Sequence, residues 1–221
     1  MDKYIRSFLT QEAIQEKAIS PNGIYRHMNH YHWANQVIDR KVEGDFVELG
    51  VYLGGTAKLL ALVMNWKKSN KTLHLYDSFE GLPELTDEDE PSDEIKSRTE
   101  TLFEKGLFEV SQQRLSQTMR RLHNYIVYPG WFSETIPNKL PDKICYAHLD
   151  GDLYSSMLES LEGVYPRLSP GAICVIDDYD NEGLPGVNQA VSEFMVDKPE
   201  RVESMFIGWD QSSIQGFFVK S

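Results

Sequence analysis

The chain is poor in cysteine. It has two, Cys145 and Cys174, each inside an apolar run and not in a loop. That pattern excludes a disulfide-built scaffold and a cysteine-rich zinc fold, and two buried, reduced thiols are expected. No apolar stretch approaches the ~20 residues of a membrane span. The first residues, Met1 to Tyr4, show no basic stretch ahead of an apolar core. No signal peptide is therefore expected, and the cytoplasm is the expected compartment. Positive charge is also scarce, with 22 Lys and Arg against 34 Asp and Glu and a net charge of −12. Such a surface repels phosphate backbones and anionic lipid, so neither nucleic acid nor membrane is expected as a partner. Internal repeats, low-complexity tracts and a G-x-G-x-x-G turn are all missing.

What remains is an ordinary globular composition, 41% hydrophobic and 25% charged over 221 residues. It suffices for a full sheet with helices on both faces. Residues 1–43 read as an N-terminal helical segment serving as a lid, a dimerisation element or part of a substrate pocket. In it Ile5, Phe8, Leu9, Ala13 and Ile14 suit a short amphipathic helix. A turn follows at Ser20–Gly23, and a second helix is expected over His30–Arg40. His27, His30 and His32 lack the cysteines or acids of a zinc site and are expected on a helix surface or in a substrate pocket.

Residues 44–221 read as one α/β domain. Apolar runs at Gly44–Leu49, Lys71–Asp77, Tyr125–Tyr128, Lys143–Leu149 and Ala172–Ile176 predict five buried parallel strands. Helices are expected over Ala57–Trp66, Tyr154–Leu168 and Gly186–Val196, with helical patterns near Thr101–Lys105 and Ser111–His123. Ser169-Pro-Gly171 is expected to be a turn. Glu80–Glu94 is an acid-rich loop, read as a solvated loop or a mobile lid. Arg201–Ile207 and Ile214–Lys220 are separated by too few residues for a crossover helix and predict an antiparallel hairpin. Five βα strands plus that hairpin match the seven-stranded, Rossmann-like arrangement of class I methyltransferases that use S-adenosylmethionine.

The first turn runs Glu48-Leu-Gly50-Val51-Tyr52-Leu-Gly54-Gly55-Thr56. An acid at Glu48 would repel a pyrophosphate but suits a cationic amino-acid tail, which favours S-adenosylmethionine over NAD. Gly50 lets the backbone pass close to a ligand, and Gly54, Gly55 and the helix start offer N–H groups to a carboxylate. Asp77 ends the second strand about where a ribose-binding acid falls, ~20 residues past the glycine turn; a turn former or helix cap is the alternative. Trp131 and Phe132 leave the third strand and suit either adenine stacking or plain packing.

The strongest constellation is acidic. Leu149-Asp150-Gly-Asp152 and Ile176-Asp177-Asp178 each carry two acids off a strand end. Four neighbouring carboxylates repel unless a positive charge lies among them. Mg²⁺ takes hard oxygen ligands, and beside it a hydroxyl deprotonates more readily. Asp150 or Asp152 can then take the proton, while Asp152 can instead cap the helix beginning near Tyr154.

Several blocks together resemble the macrocin O-methyltransferase (TylF-like) family: Glu48–Thr56, Tyr76-Asp-Ser-Phe-Glu-Gly-Leu-Pro83, Gly130-Trp-Phe132, Leu149–Ser155, Leu161–Gly171 and Ile176–Tyr179. The resemblance runs from about Gly44 to Phe194. It implies a metal-dependent enzyme that methylates hydroxyls, often on antibiotic sugars. It implies Asp150, Asp177 and Asp178 as Mg²⁺ ligands, Asp150 or Asp152 as general base, and Asp77, Ser78 and Phe79 beside the cofactor along with the glycine turn and Gly130–Phe132. Two departures are Ala172, where the family often has glycine, and Gly186–Gln189, where it usually has a basic, cysteine-containing helix start. The expected function is Mg²⁺-dependent O-methylation of a small natural product, with a sugar or polyol-like acceptor and a homodimer as one arrangement. The alternatives are methylation of a carboxylate or phenol without an essential metal, and a nucleotide-binding module without turnover.

Overall fold

The computed structural model describes residues 2–8, 23–98, 103–207 and 213–221. Its sheet has seven strands: β1 (Asp45–Leu49), β2 (Leu73–Asp77), β3 (Tyr125–Pro129), β4 (Ile144–Leu149), β5 (Leu168–Ile176), β6 (Glu203–Ile207) and β7 (Ser213–Val219). They lie in the order β3-β2-β1-β4-β5-β7-β6. β1 to β5 pair in parallel; β7 runs antiparallel to both β5 and β6. This is the expected five-plus-two arrangement. Every residue of β4 is buried, as a central strand covered on both faces requires. Cys145 and Cys174 are free and buried, as expected.

The helices are α1 (Gly23–Asp39), α2 (Gly55–Trp66), α3 (Asp93–Arg98), α4 (Gln112–Thr118), α5 (Phe132–Lys139), α6 (Tyr154–Val164) and α7 (Pro185–Met195). Helix α1 begins well before the expected His30, with Gly23 inside it and residues 20–22 outside the described region. Its Ala34 and Val37 are fully buried, and residues 3–8 are helical, with Ile5 and Phe8 in the core. Leu9, Ala13 and Ile14 lie outside the described residues. Of the Thr101–Lys105 pattern, residues 103–104 have no regular structure and 105–108 form a turn. Helix α5 lies in a stretch for which the sequence reading named no element, and it holds Pro137 inside it.

The expected turn at Ser169–Gly171 lies within β5. There the β4 register shifts, so that Ile144 faces Leu168 while Tyr146 faces Ile173. Gly171, at φ 81°, supplies the left-handed residue of that bulge, and its N–H still reaches Lys220 O at 2.8 Å.

The chain end is fixed by Glu200, which is buried and accepts from Lys220 Nζ (2.7 Å), the Ser221 N–H (3.0 Å) and the Tyr165 hydroxyl. Burial opposes its charge, but these donors outweigh that and hold the carboxyl below its usual range. A depressed folded pKa contributes stability that is present above the unfolded value and lost as pH falls through the folded one. Acid melting curves should therefore show wild type losing its advantage over Glu200→Gln as the pH drops below the ordinary carboxylate range. A pH-independent difference would exclude this linkage.

Candidate active site

The site is the row of residues just past the strand ends. Leu49 pairs with Tyr76 and Leu149, and Leu149 with Ile176, so neighbouring strands stop level. Backbone bonds continue one step beyond: Gly50 N to Tyr76 O (3.0 Å), Asp150 N to Leu49 O (2.8 Å), Asp177 N to Leu149 O (2.8 Å) and Gly130 N to Asp77 O (3.0 Å). This places Asp77, Gly50, Asp150 and Asp177 side by side at the carboxyl edge of the sheet, where open α/β sheets bind ligands. Gly50 has φ 87°, and a Cβ there would overlap the carbonyl oxygen of Asp150. Only glycine allows β1 and β4 to leave the sheet this close together. Tyr52, Phe79, Asp152 and Asp178 are also left-handed, at φ 48°, 60°, 56° and 52°. Such conformations cost ~1–3 kcal/mol each and gather at functional sites.

A cavity of about 400 Å³ opens over this row, within the ordinary size range of ligand pockets. Gly50, Val51, Tyr52, Asp77, Ser78, Trp131 and Phe132 line it, as do Asp150, Asp152, Asp177 and Asp178. Gly54, Gly55, Thr56, Phe79 and Gly130 do not line it. Gly54 is the N-cap of α2, and the Phe79 N–H donates to Asp77 Oδ1 at 2.8 Å. Glu48 also lies off the cavity. It is 1% exposed and faces His148 Nδ1 at 3.3 Å.

Asp77 does two things. Its Oδ2 accepts from the Val51 and Tyr52 N–H groups at 2.8 and 2.9 Å, tying the glycine turn to β2. It also faces the cavity. The turn-forming alternative is thus filled, by a carboxylate that also lines the cavity.

The four acids fall into two trios that share Asp150: His148–Asp150–Asp177 and Asp150–Asp152–Asp178, each with ligand atoms within 4.8 Å of one another. Hard carboxylate oxygens at that spacing fit a divalent cation of the Mg²⁺ type. Burial pushes Asp150 well above the ordinary carboxylate range, with Asp177 and Asp152 adding to it. Burial, then Asp178 and Asp177, push Asp152 up as well. Asp178 is raised by burial and by Asp177, with Arg26 pulling against them.

Arg26, on α1, is the positive charge that the sequence reading required but did not locate. Its guanidinium bonds Asp177 and, at 2.9 Å, Asp178. Burial opposes its charge, and Asp177, Asp178 and Asp150 hold it charged. Its partners stand some 150 positions away, so no local pattern announces it. Helix α1 also places His27 and His30 inward and not on a helix surface; both are buried. Burial and His148 hold His27 down to about 4 and His30 well below its usual value. Burial works against a charged His148 too, but the bond to Glu48 and the nearby Asp150 outweigh it and push the imidazole up to about 9.

The acidic loop is pinned. Asp89 is buried, accepts from Thr86 N at 2.9 Å, and accepts from Tyr154 N at 2.7 Å. Asp89 thus serves the first turn of α6, whose N-cap Leu153 supplies no side-chain bond. The cap that Asp152 was a candidate for is filled from a loop over sixty positions upstream, and Asp152 faces the cavity instead.

Comparison with known proteins gives a consistent result. The family model for macrocin-O-methyltransferase (TylF) matches residues 15–212, reaching into α1 and well before Gly44. The mycinamicin III 3''-O-methyltransferase of Micromonospora griseorubida is 30% identical over 176 residues, covering 78% of this chain and 68% of that one. The 8-demethyl-8-(2,3-dimethoxy-alpha-L-rhamnosyl)-tetracenomycin-C 4'-O-methyltransferase of Streptomyces olivaceus is 32% identical over 187 residues, covering 77% and 70%. The structure of the O-methyltransferase NovP superposes with a TM-score of 0.75 at 26% identity, covering 90% of this chain and 80% of that one. The calicheamicin methyltransferase CalS11 has the same fold, with a TM-score of 0.71 at 20% identity over 98% of this chain and 90% of that one. Among the described residues no helix is long and apolar enough to cross a membrane.

Proposed function

Because the chain belongs to the macrocin-O-methyltransferase (TylF) family, an enzyme family, we propose that it carries a methyl group from S-adenosylmethionine to a hydroxyl of a sugar or polyol-like natural product. Asp150, Asp177 and Asp178 would hold a divalent cation, Mg²⁺ in the first instance. The observation that carries this reading is the shared cavity: the glycine turn, Asp77 and the four acids all face one space. The family's enzymatic character sets aside the nucleotide-binding module without turnover. The name of the Streptomyces olivaceus relative includes a rhamnosyl group, which supports a sugar acceptor.

In this reading Gly50, Val51 and Tyr52 take the methionine end of the donor and Asp77 a ribose hydroxyl. Trp131 and Phe132 flank the adenine. A bound Mg²⁺ would lower the pKa of a hydroxyl beside it. Of the two candidate bases, Asp150 belongs to both trios and Asp152 to one, and Asp89 relieves Asp152 of the capping duty, which leaves Asp152 the freer of the two. A positioned base contributes ~10²–10⁴-fold, and alignment of hydroxyl and sulfonium contributes more.

One observation favours a second reading, methylation of a phenol or carboxylate without an essential metal. Arg26 already supplies a positive charge to Asp177 and Asp178. Chelation separates the two. With a sugar acceptor, EDTA should abolish turnover and added Mg²⁺ or Mn²⁺ should restore it. Full turnover in EDTA would sink the metal-dependent reading.

A further inference from the structure

We propose that Gln215 is a positioning residue for the acidic site. It commits one oxygen of Asp177 to the fold, so that the other, which pairs with Arg26 here, is the one a metal cation would take in the guanidinium's place. The inference rests on the reading of Asp177 as a cation ligand.

Gln215 stands on β7, one step past the β5–β7 pair Ile176–Gly216, and so beside Asp177. It is fully buried, and Asp177 is 4% exposed. The Gln215 Nε2 donates to Asp177 Oδ1 at 2.6 Å and lies 3.2 Å from His30 Nε2. The Gln215 Oε1 accepts from Asn29 Nδ2 at 3.0 Å.

These partners fix the amide's orientation. An ionised carboxylate can only accept, so the NH₂ end must face Asp177. Asn29 then donates to the carbonyl end. The second N–H is left for His30 Nε2, which must be the bare nitrogen. Its proton resides on Nδ1, 2.6 Å from the Tyr146 hydroxyl. A flipped amide would set oxygen against the Asp177 carboxylate and NH₂ against the Asn29 NH₂, losing both bonds. Residues of α1, β4, β7 and the turn after β5 thus lock a single arrangement, and the oxygen left over, Asp177 Oδ2, pairs with the Arg26 guanidinium. A site that presents one carboxylate oxygen to a cation and anchors its twin in the interior has the design of a supported metal ligand, in which the supporting partner tunes affinity.

The test is Mn²⁺ titration of the full chain followed by electron paramagnetic resonance, on wild type and Gln215→Met, alongside S-adenosylmethionine titration and thermal melting. Methionine keeps the bulk and removes the donor. Mn²⁺ affinity should fall roughly 10- to 100-fold, with S-adenosylmethionine affinity unchanged and turnover recovering in excess Mn²⁺. A folded Gln215→Met that binds Mn²⁺ as wild type does would overturn the proposal, and Gln215 would then serve packing alone. If Gln215→Met fails to fold, Asn29→Ala decides by the same titration, since it frees the carbonyl end and should also weaken Mn²⁺; an unchanged affinity there overturns the proposal. Wild type that binds no Mn²⁺ removes the cation reading of Asp177 and Gln215's role with it, an outcome visible before any variant is made.

Discussion

Asp178→Asn is expected to lower methyl transfer by at least about 100-fold while S-adenosylmethionine affinity stays within about twofold. A cation clamp on a reacting oxygen contributes several kcal/mol, and removing one of its charges forfeits much of that. In the proposed reading the methionine end of the donor would lie at the glycine turn off β1, whereas Asp178 leaves β5, with β4 between them. The two effects therefore separate. Stability should move the other way. Burial and Asp177 raise the folded pKa of Asp178, so its ionised form weakens the fold at neutral pH, above the unfolded pKa. A neutral asparagine relieves that, and Asn181 and Arg26 remain to fill the space. Melting in EDTA should show Asp178→Asn at or above the wild-type midpoint. An inactive but lower-melting variant would point to misfolding, and an active one would transfer the reading to metal-free methylation. Activity and stability, measured together, distinguish a group retained for chemistry from one retained for folding.

That contrast also explains what was legible in the sequence. Strand ends were readable because each apolar run gives way to an acid or a glycine, at Leu49-Gly50, Tyr76-Asp77, Leu149-Asp150 and Ile176-Asp177. The parallel sheet then aligns those ends without further information. The site's floor followed from local pattern alone. Its roof did not. Arg26, Asn29 and His30 act on Asp177 and Gln215 across the whole chain, and a helix that looks merely amphipathic gives no sign of which polar residue turns inward. Asp89 was hidden in another way, as one acid in a loop full of them, where a solvated reading suits every neighbour. Gly171 was misleading in a third way. It closes a Ser-Pro-Gly run of the kind that ordinarily ends elements, and here that run sits inside β5.

Asp77→Ala is expected to weaken S-adenosylmethionine binding roughly 10- to 100-fold and to cost stability as well. A carboxylate offers about four acceptor positions. Three are taken, by the N–H groups of Val51, Tyr52 and Phe79. One is left, so in the proposed reading the acid has room for a single ribose hydroxyl. One hydrogen bond to a charged group contributes about 1.5–3 kcal/mol, and each 1.4 kcal/mol is tenfold in affinity. The three donors left behind cost up to about 1–3 kcal/mol apiece where water cannot reach them. Tyr52 is exposed, so water recovers part of that. Loss of the tie also frees the turn that carries Gly50, and affinity falls twice for one substitution. Asp77→Asn separates the two contributions. Its remaining oxygen can still receive the Val51 and Tyr52 N–H groups, but its NH₂ end opposes Phe79 N and carries no charge for the ribose. Calorimetric titration beside thermal melting should show Asp77→Asn recovering more stability than affinity. If Asp77→Ala stays folded and binds S-adenosylmethionine as wild type does, Asp77 is a turn residue only and the cofactor lies elsewhere in the cavity.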